Sequence, residues 1–119
     1  MRTLYQKRTV YPENSTVVIE LKHTLDHSQV QILKQLLSYE IEQGSIHIIL
    51  NFKHVPFLYS AHVAIFWAYH KKLKTMDGNL IFTHVPKSVY TIFGSMNLDK
   101  SLIFFQSDDE ALLHLKPHQ

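Results

Sequence analysis

Nine histidines and no cysteine in the chain raise one chemical question first: do the imidazoles bind a metal or carry protons? Their spacing argues against a shared ion. His23 and His27 are four apart but straddle a strand end and a turn, so no helical face aligns them. His114 and His118 have the same spacing, and Pro117 breaks the helix that would present both rings. His62 and His70 share one helix, yet two turns and about 80° of drift part them. No His-plus-carboxylate pattern of a zinc site is present. Scattered surface histidines are expected, with no metal and no cofactor.

Other catalytic arrangements fare no better. Without cysteine there is no thiolate nucleophile and no disulfide framework. No serine lies between glycines at nucleophile-elbow spacing, and Gly44, Gly78 and Gly94 build no phosphate-cradling loop. A net charge of +2 is too weak to argue for nucleic acid. Trp67 and most other aromatics fall at positions that read as core, so a base-stacking platform is not signalled. Recognition, not enzymatic chemistry, is the expected role.

Ser60 stands apart. It follows the apolar Phe57-Leu58 and opens a helix whose first turn is small and uncharged, Ala61 then His62. The simpler reading is a helix N-cap, the serine oxygen accepting a backbone N–H bond. The other reading is a phosphorylation site. A phosphate there would lie at the positive end of the helix, which accommodates a dianion, so its effect would fall on whatever partner docks over it.

The elements that must position Ser60 follow from periodicity. Val17 to Lys22 alternates apolar and polar residues and is rich in β-branched ones, which predicts a strand. Asp26, His27 and Ser28 offer helix caps, and Val30, Leu33, Leu36, Leu37 and Ile41 then recur at helical spacing up to Gly44. The run from Ile46 to Phe52 predicts a central strand covered on at least one face. After Pro56 a second helix runs from Tyr59-Ser60 to about Thr75, with Ala61, Ala64, Ile65, Ala68 and Leu73 as its expected buried stripe. His70, Lys71, Lys72 and Lys74 crowd its C-terminal end, where positive charge suits the helix dipole. Asp77-Gly78 gives a turn into a strand over Asn79 to Val85. Pro86 opens a third helix carrying Val89, Ile92, Phe93 and Met96. Leu102 to Phe105 is a last strand, and Ser107-Asp108-Asp109-Glu110 fits a capping box before a C-terminal helix. A further edge strand is possible around Leu4 to Val10.

Strands alternating with helices predict an α/β domain with a mixed, largely parallel sheet of 4–5 strands and about four helices. At 119 residues and 14.0 kDa the whole chain, 1–119, reads as one domain with its core over about 15–115. Charged residues open the chain without a following apolar run, and the longest apolar stretch, residues 63–69, is far below the roughly 18 needed for a membrane span. A cytoplasmic protein without membrane insertion is expected.

From about Val17 to Leu115 the chain resembles the STAS domain, the fold of bacterial anti-sigma factor antagonists. Leu25-Asp26-His27 is similar to the family's Leu-Asp motif before the first helix. Ile48 to Phe52 with Val55-Pro56-Phe57-Leu58 resembles its hydrophobic strand and the approach to its phosphorylation loop, and Ser60 falls on the phosphorylatable serine. Lys71 to Gly78, Asn79 to Phe82, and Val89 to Leu112 continue the likeness through the closing elements. That loop usually reads Asp-Ser-small-Gly; here it is Tyr59-Ser60-Ala61-His62, an aromatic ring for the acidic residue and an imidazole for the glycine. The resemblance implies a docking face around Asp26, Tyr59, Ser60, Ala61 and His62. It also implies a partner, an anti-sigma factor with a histidine-kinase-like fold that phosphorylates the serine and then releases the domain. A non-phosphorylated scaffold subunit of a stress-signalling or lipid-transport complex is the alternative the family offers.

Overall fold

The computed structural model describes residues 5–10, 15–22, 26 and 29–115. In chain order the elements are β1 (Tyr5–Val10), β2 (Thr16–Leu21), α1 (Val30–Glu42), β3 (His47–Asn51), α2 (Ser60–Lys74), β4 (Asn79–Thr83), α3 (Lys87–Ser95), β5 (Ile103–Phe105) and α4 (Asp108–Leu115). The five strands form one sheet in the order β1-β2-β3-β4-β5. β1 runs antiparallel to β2, and the other three pairings are parallel. The mixed, largely parallel α/β sheet is therefore present, and the suspected edge strand is β1. His23, His27 and His118, with the helix-cap residues His27 and Ser28 and the Leu25 of the Leu-Asp motif, lie outside the described residues.

Strand alternation divides the core between two faces, which periodicity alone left open. Val17, Ile19, Leu21, Ile48, Leu50, Leu80 and Phe82 face one cluster with residues of α1, α2 and α3. Val18, Ile49 and Ile81 point to the other side, where Ala111, Leu112 and Leu115 of α4 cover them. This two-sided burial explains why β3 and β4 are nearly unbroken apolar runs. Rings of Phe52, Phe66, Phe82 and Phe93 then lock α2 and α3 to the sheet, with centroid separations of 5.3–5.7 Å between Phe52–Phe66, Phe52–Phe82, Phe66–Phe82 and Phe82–Phe93.

Three expectations need correction. The buried stripe of α2 consists of His62, Val63, Ile65, Phe66, His70 and Leu73, while Ala64 and Ala68 are exposed. The helix is rotated because two histidines occupy core-facing positions, which also contradicts the expectation of scattered surface histidines for this pair. Next, α1 has Gln29 at its N-cap in place of the expected Asp26, with no side-chain cap bond among the described residues. Finally, Trp67 is only half-buried, and Phe57, Tyr39 and Tyr90 are exposed.

The capping box before α4 is present in a shifted form: Ser107 Oγ accepts the Glu110 N–H, whereas Glu110 Oε2 accepts from Gln106. Gly78 is required by close approach, because a Cβ there would sit 2.1 Å from the Ile46 carbonyl oxygen. No helix among the described residues is long and apolar enough to cross a membrane.

Candidate functional site

The segment from β3 to α2 is held from below. Phe52, Val55 and Leu58, three residues apart, are buried, and Val55 N–H donates to the Phe52 carbonyl at 3.0 Å. Pro56 and Phe57 consequently face outward, and Ser88 Oγ of α3 donates to the Pro56 carbonyl at 2.7 Å. Anchoring on both sides delivers the N-terminus of α2 to a fixed position on the surface.

Ser60 is the first helical residue of α2 and is exposed. It is not the N-cap. That position belongs to Tyr59, in extended conformation at φ −91° and ψ 155°, whose backbone carbonyl accepts from His62 N–H at 3.0 Å and Val63 N–H at 3.3 Å. The cap reading of Ser60 is therefore corrected by one residue: the serine is an exposed residue of the first helical turn. Ala61 beside it is half-buried.

His62 lies inward, with no exposed surface. Its Nδ1 accepts from the Tyr59 backbone N–H at 3.3 Å, and its Nε2 lies 3.0 Å from the Asp26 carbonyl oxygen. A carbonyl can only accept and an amide N–H can only donate, so both bonds together require the neutral ring with its proton on Nε2. The Nδ1 contact is the reciprocal half of a capping box, made by an imidazole where Glu or Gln is usual. The Nε2 contact ties the β2–α1 connection to the start of α2. An imidazole in place of the family's glycine is thus a clamp beneath the loop, not an obstacle on its surface.

The clamp brings exposed Asp26 to the same end of the molecule as Ser60. Asp26 is itself fastened to the start of α1: its carbonyl accepts from Gln29 N–H at 3.1 Å, and its N–H donates to Gln29 Oε1 at 2.9 Å. Tyr59 is half-buried and packs edge-on to Phe57 at 5.1 Å, so the surface next to Ser60 is aromatic where the family pattern carries a carboxylate. Of the five expected docking residues, Asp26, Tyr59, Ser60 and Ala61 reach the surface at least in part, and His62 acts through two of them.

Behind the loop, Asp108 at the start of α4 reaches two strand ends. Its Oδ2 accepts from Asn51 Nδ2 at 2.9 Å and its Oδ1 from Thr83 Oγ1. Asn51 and Thr83 are both buried and are paired in register across β3 and β4. Polar residues ending two apolar strands signal a hidden partner, but nothing in the sequence names a residue so distant in the chain. Elsewhere, burial first and then the Lys74 charge push the His47 and His70 imidazoles below their ordinary range. The Lys22 hydrogen bond chiefly holds the Glu20 carboxyl low. No group of three or more His, Asp or Glu among the described residues is placed to hold a metal ion. A cleft of about 560 Å³ at the ends of β4 and β5, lined by His84, Tyr90, Phe104 and Glu110 among others, includes none of the five docking residues.

A helix that begins with an exposed serine lies over a sheet with three helices on one face and one on the other, which defines a small α/β domain. A model of the STAS domain family matches residues 7–111, and the chain belongs to that family. A Thermotoga maritima protein assigned as an anti-sigma factor antagonist superposes with a TM-score of 0.86 at 16% identity, over 95% of each chain, which is a likeness of fold. The anti-sigma factor antagonist SpoIIAA in its unphosphorylated form is 26% identical, with a TM-score of 0.80 over 94% of this chain and 96% of that one. The phosphorylated form of the Bacillus SpoIIAA gives a TM-score of 0.72 at the same 26% identity, over 94% and 99%.

Proposed function

We propose that this domain is a non-catalytic binding module that captures an anti-sigma factor of the serine-kinase type and is released when Ser60 is phosphorylated. The observation that carries this reading is the exposed Ser60 at the first position of α2, in a chain 26% identical to an antagonist whose phosphorylated form is known. The physical logic is local. A dianion at Ser60 is tolerated by the N-terminus of its own helix but repels and desolvates a partner seated over Asp26, Tyr59 and Ala61. His62 supports the module by fixing Asp26 beside the serine.

Incubation with the cognate anti-sigma factor and ATP is expected to add one phosphate, mapped by mass spectrometry to Ser60 and absent from Ser60→Ala. An active partner that leaves Ser60 unmodified removes the switch.

A second reading has one observation in its favour. Tyr59 stands where the family's acidic residue would orient the serine, which suits a scaffold subunit of a stress-signalling or lipid-transport complex whose serine stays unmodified. Affinity capture separates the two readings, by recovering a kinase-fold protein or a transporter ATPase.

A further inference from the structure

The end of α2 opposite Ser60, about 21 Å along the helix, carries a polar chain that docking at the serine does not use. Lys74 Nζ donates to Asn79 Oδ1 at 2.8 Å, and Asn79 Nδ2 lies 3.1 Å from His47 Nδ1. Lys74 ends α2, Asn79 begins β4 and His47 begins β3, so the chain joins the helix to two strands. The α2–β4 turn closes over the same place, with Gly78 N–H donating to the Leu73 carbonyl at 2.8 Å and Asn79 N–H to the Ile46 carbonyl at 2.9 Å.

Lys74 fixes the direction of the chain. An ammonium only donates, so the amide oxygen of Asn79 faces it and the amide nitrogen faces His47. His47 Nδ1 must then accept, which requires the neutral ring with its proton on Nε2. A second proton on Nδ1 would meet the Asn79 amide hydrogens. Turning that amide over only moves the clash of donors to Lys74. The three side chains therefore cannot keep both bonds once His47 is charged.

His70 lies one turn before Lys74 and is buried. Its ring stacks on Trp67 with 19° between the planes, and its Nδ1 has no hydrogen-bond partner among the described residues. A proton there gains no acceptor. Thr16 of β2 and Asn79 of β4 flank His47 in register, and neither carries charge. The charges nearby are positive: Lys74 acts on both rings, and Lys71 Nζ lies 5.4 Å from the Trp67 ring centroid. Among the described residues no carboxylate is within ion-pairing distance of His47 or His70.

We propose that Lys74, Asn79 and His47, with His70 beside them, form a proton-released latch that holds the C-terminal end of α2 and the α2–β4 turn on the sheet at neutral pH and frees them in mild acid. Burial and the Lys74 charge hold both rings below their ordinary range, so the unfolded chain takes up these protons first, near about pH 6.5. The stability the latch supplies is thus complete above that pH and lost as the pH falls below it. Glu20, whose carboxyl is held low, loses its contribution only in stronger acid.

The test is amide exchange of the isotope-labelled domain at about pH 7.5 and about pH 5, each rate divided by that of an unstructured chain at the same pH. Protection of Gly78 and Asn79 should fall about tenfold in acid. Val89 and Tyr90, whose N–H groups bond the Pro86 carbonyl at the start of α3, should change by less than about twofold. The controls lie on α3 because His62 places another neutral ring at the start of α2. Imidazole nitrogen shifts at about pH 7.5 should show His47 with its proton on Nε2. The double variant His47→Asn, His70→Phe keeps an acceptor for Asn79 and a ring against Trp67 but takes up no proton, and should lose at most about half as much protection in acid. Unchanged protection at Gly78 and Asn79, an equal fall at Val89 and Tyr90, or a proton on His47 Nδ1 at neutral pH overturns the latch. So does a folded double variant that responds to acid as the wild type does. The first three outcomes are read on the wild-type domain, so the proposal is decided even where the variant does not fold.

Discussion

At the scale of single residues, His62 decides how the candidate site is built. Its two ring nitrogens hold Tyr59 N–H at 3.3 Å and the Asp26 carbonyl at 3.0 Å from a position with no exposed surface. Removing the ring leaves a cavity and frees two backbone groups, so His62→Ala should lose about 2–3 kcal/mol in urea unfolding. His62→Gln, whose amide can both accept and donate, should recover about half of that loss. Amide exchange at Gln29, whose N–H bonds the same Asp26 carbonyl, should accelerate in the alanine variant and stay slow in the glutamine one. Equal stability of all three proteins contradicts the clamp. The sequence shows that an imidazole replaces a glycine two residues after Ser60, but not which way the ring points. That direction depends on the Asp26 carbonyl, which is 36 residues away in the chain.

Among the elements, legibility followed the strength of the periodic signal. The strands, and the starts of α2, α3 and α4, lie within a residue or two of where alternation, Tyr59-Ser60, Pro86 and Ser107 put them. The buried face of α2 is not legible in the sequence, because a hydrophobic stripe counts alanines and discounts histidines. Ala64 and Ala68 are exposed, while His62 and His70 are buried. His62 finds hydrogen-bond partners inside; His70 stacks on Trp67 at 5.5 Å while its Nδ1 has no hydrogen-bond partner among the described residues.

The bracing of the strand ends by α4 was equally hidden. Asp108 reads as a capping residue, yet its carboxylate serves buried Asn51 and Thr83. Asp108→Ala strands two buried donors and should destabilise the domain by about 2–4 kcal/mol. Asp108→Asn, which keeps one acceptor oxygen, should cost roughly half as much. Chemical denaturation measures both, and a change under about 0.5 kcal/mol for the alanine variant contradicts the bracing role.

For the whole molecule, the architecture explains how a small domain can carry a switch without rearranging. The aromatic cluster and the buried strands fix α2 against the sheet, the β3–α2 loop is anchored at Phe52, Val55 and Leu58, and His62 ties in Asp26. A phosphate at Ser60 therefore need not move the backbone. On the proposed reading it would change the charge of a surface that is already in place, and a partner docked there would feel the change. The fold was legible because alternation of strand and helix is a whole-chain signal, and the family because segments from about Val17 to Leu115 resemble the STAS pattern in its order. The partner was not, because a docking face is defined by what it meets.

Equilibrium binding of the cognate anti-sigma factor to the wild-type domain, Ser60→Ala and Ser60→Glu tests the central claim most directly. The account predicts that Ser60→Ala binds as the wild type does. Ser60→Glu should bind at least about tenfold more weakly, because a charge enters a desolvated interface. Equal affinity for all three, with the partner shown to bind the wild type, would contradict it.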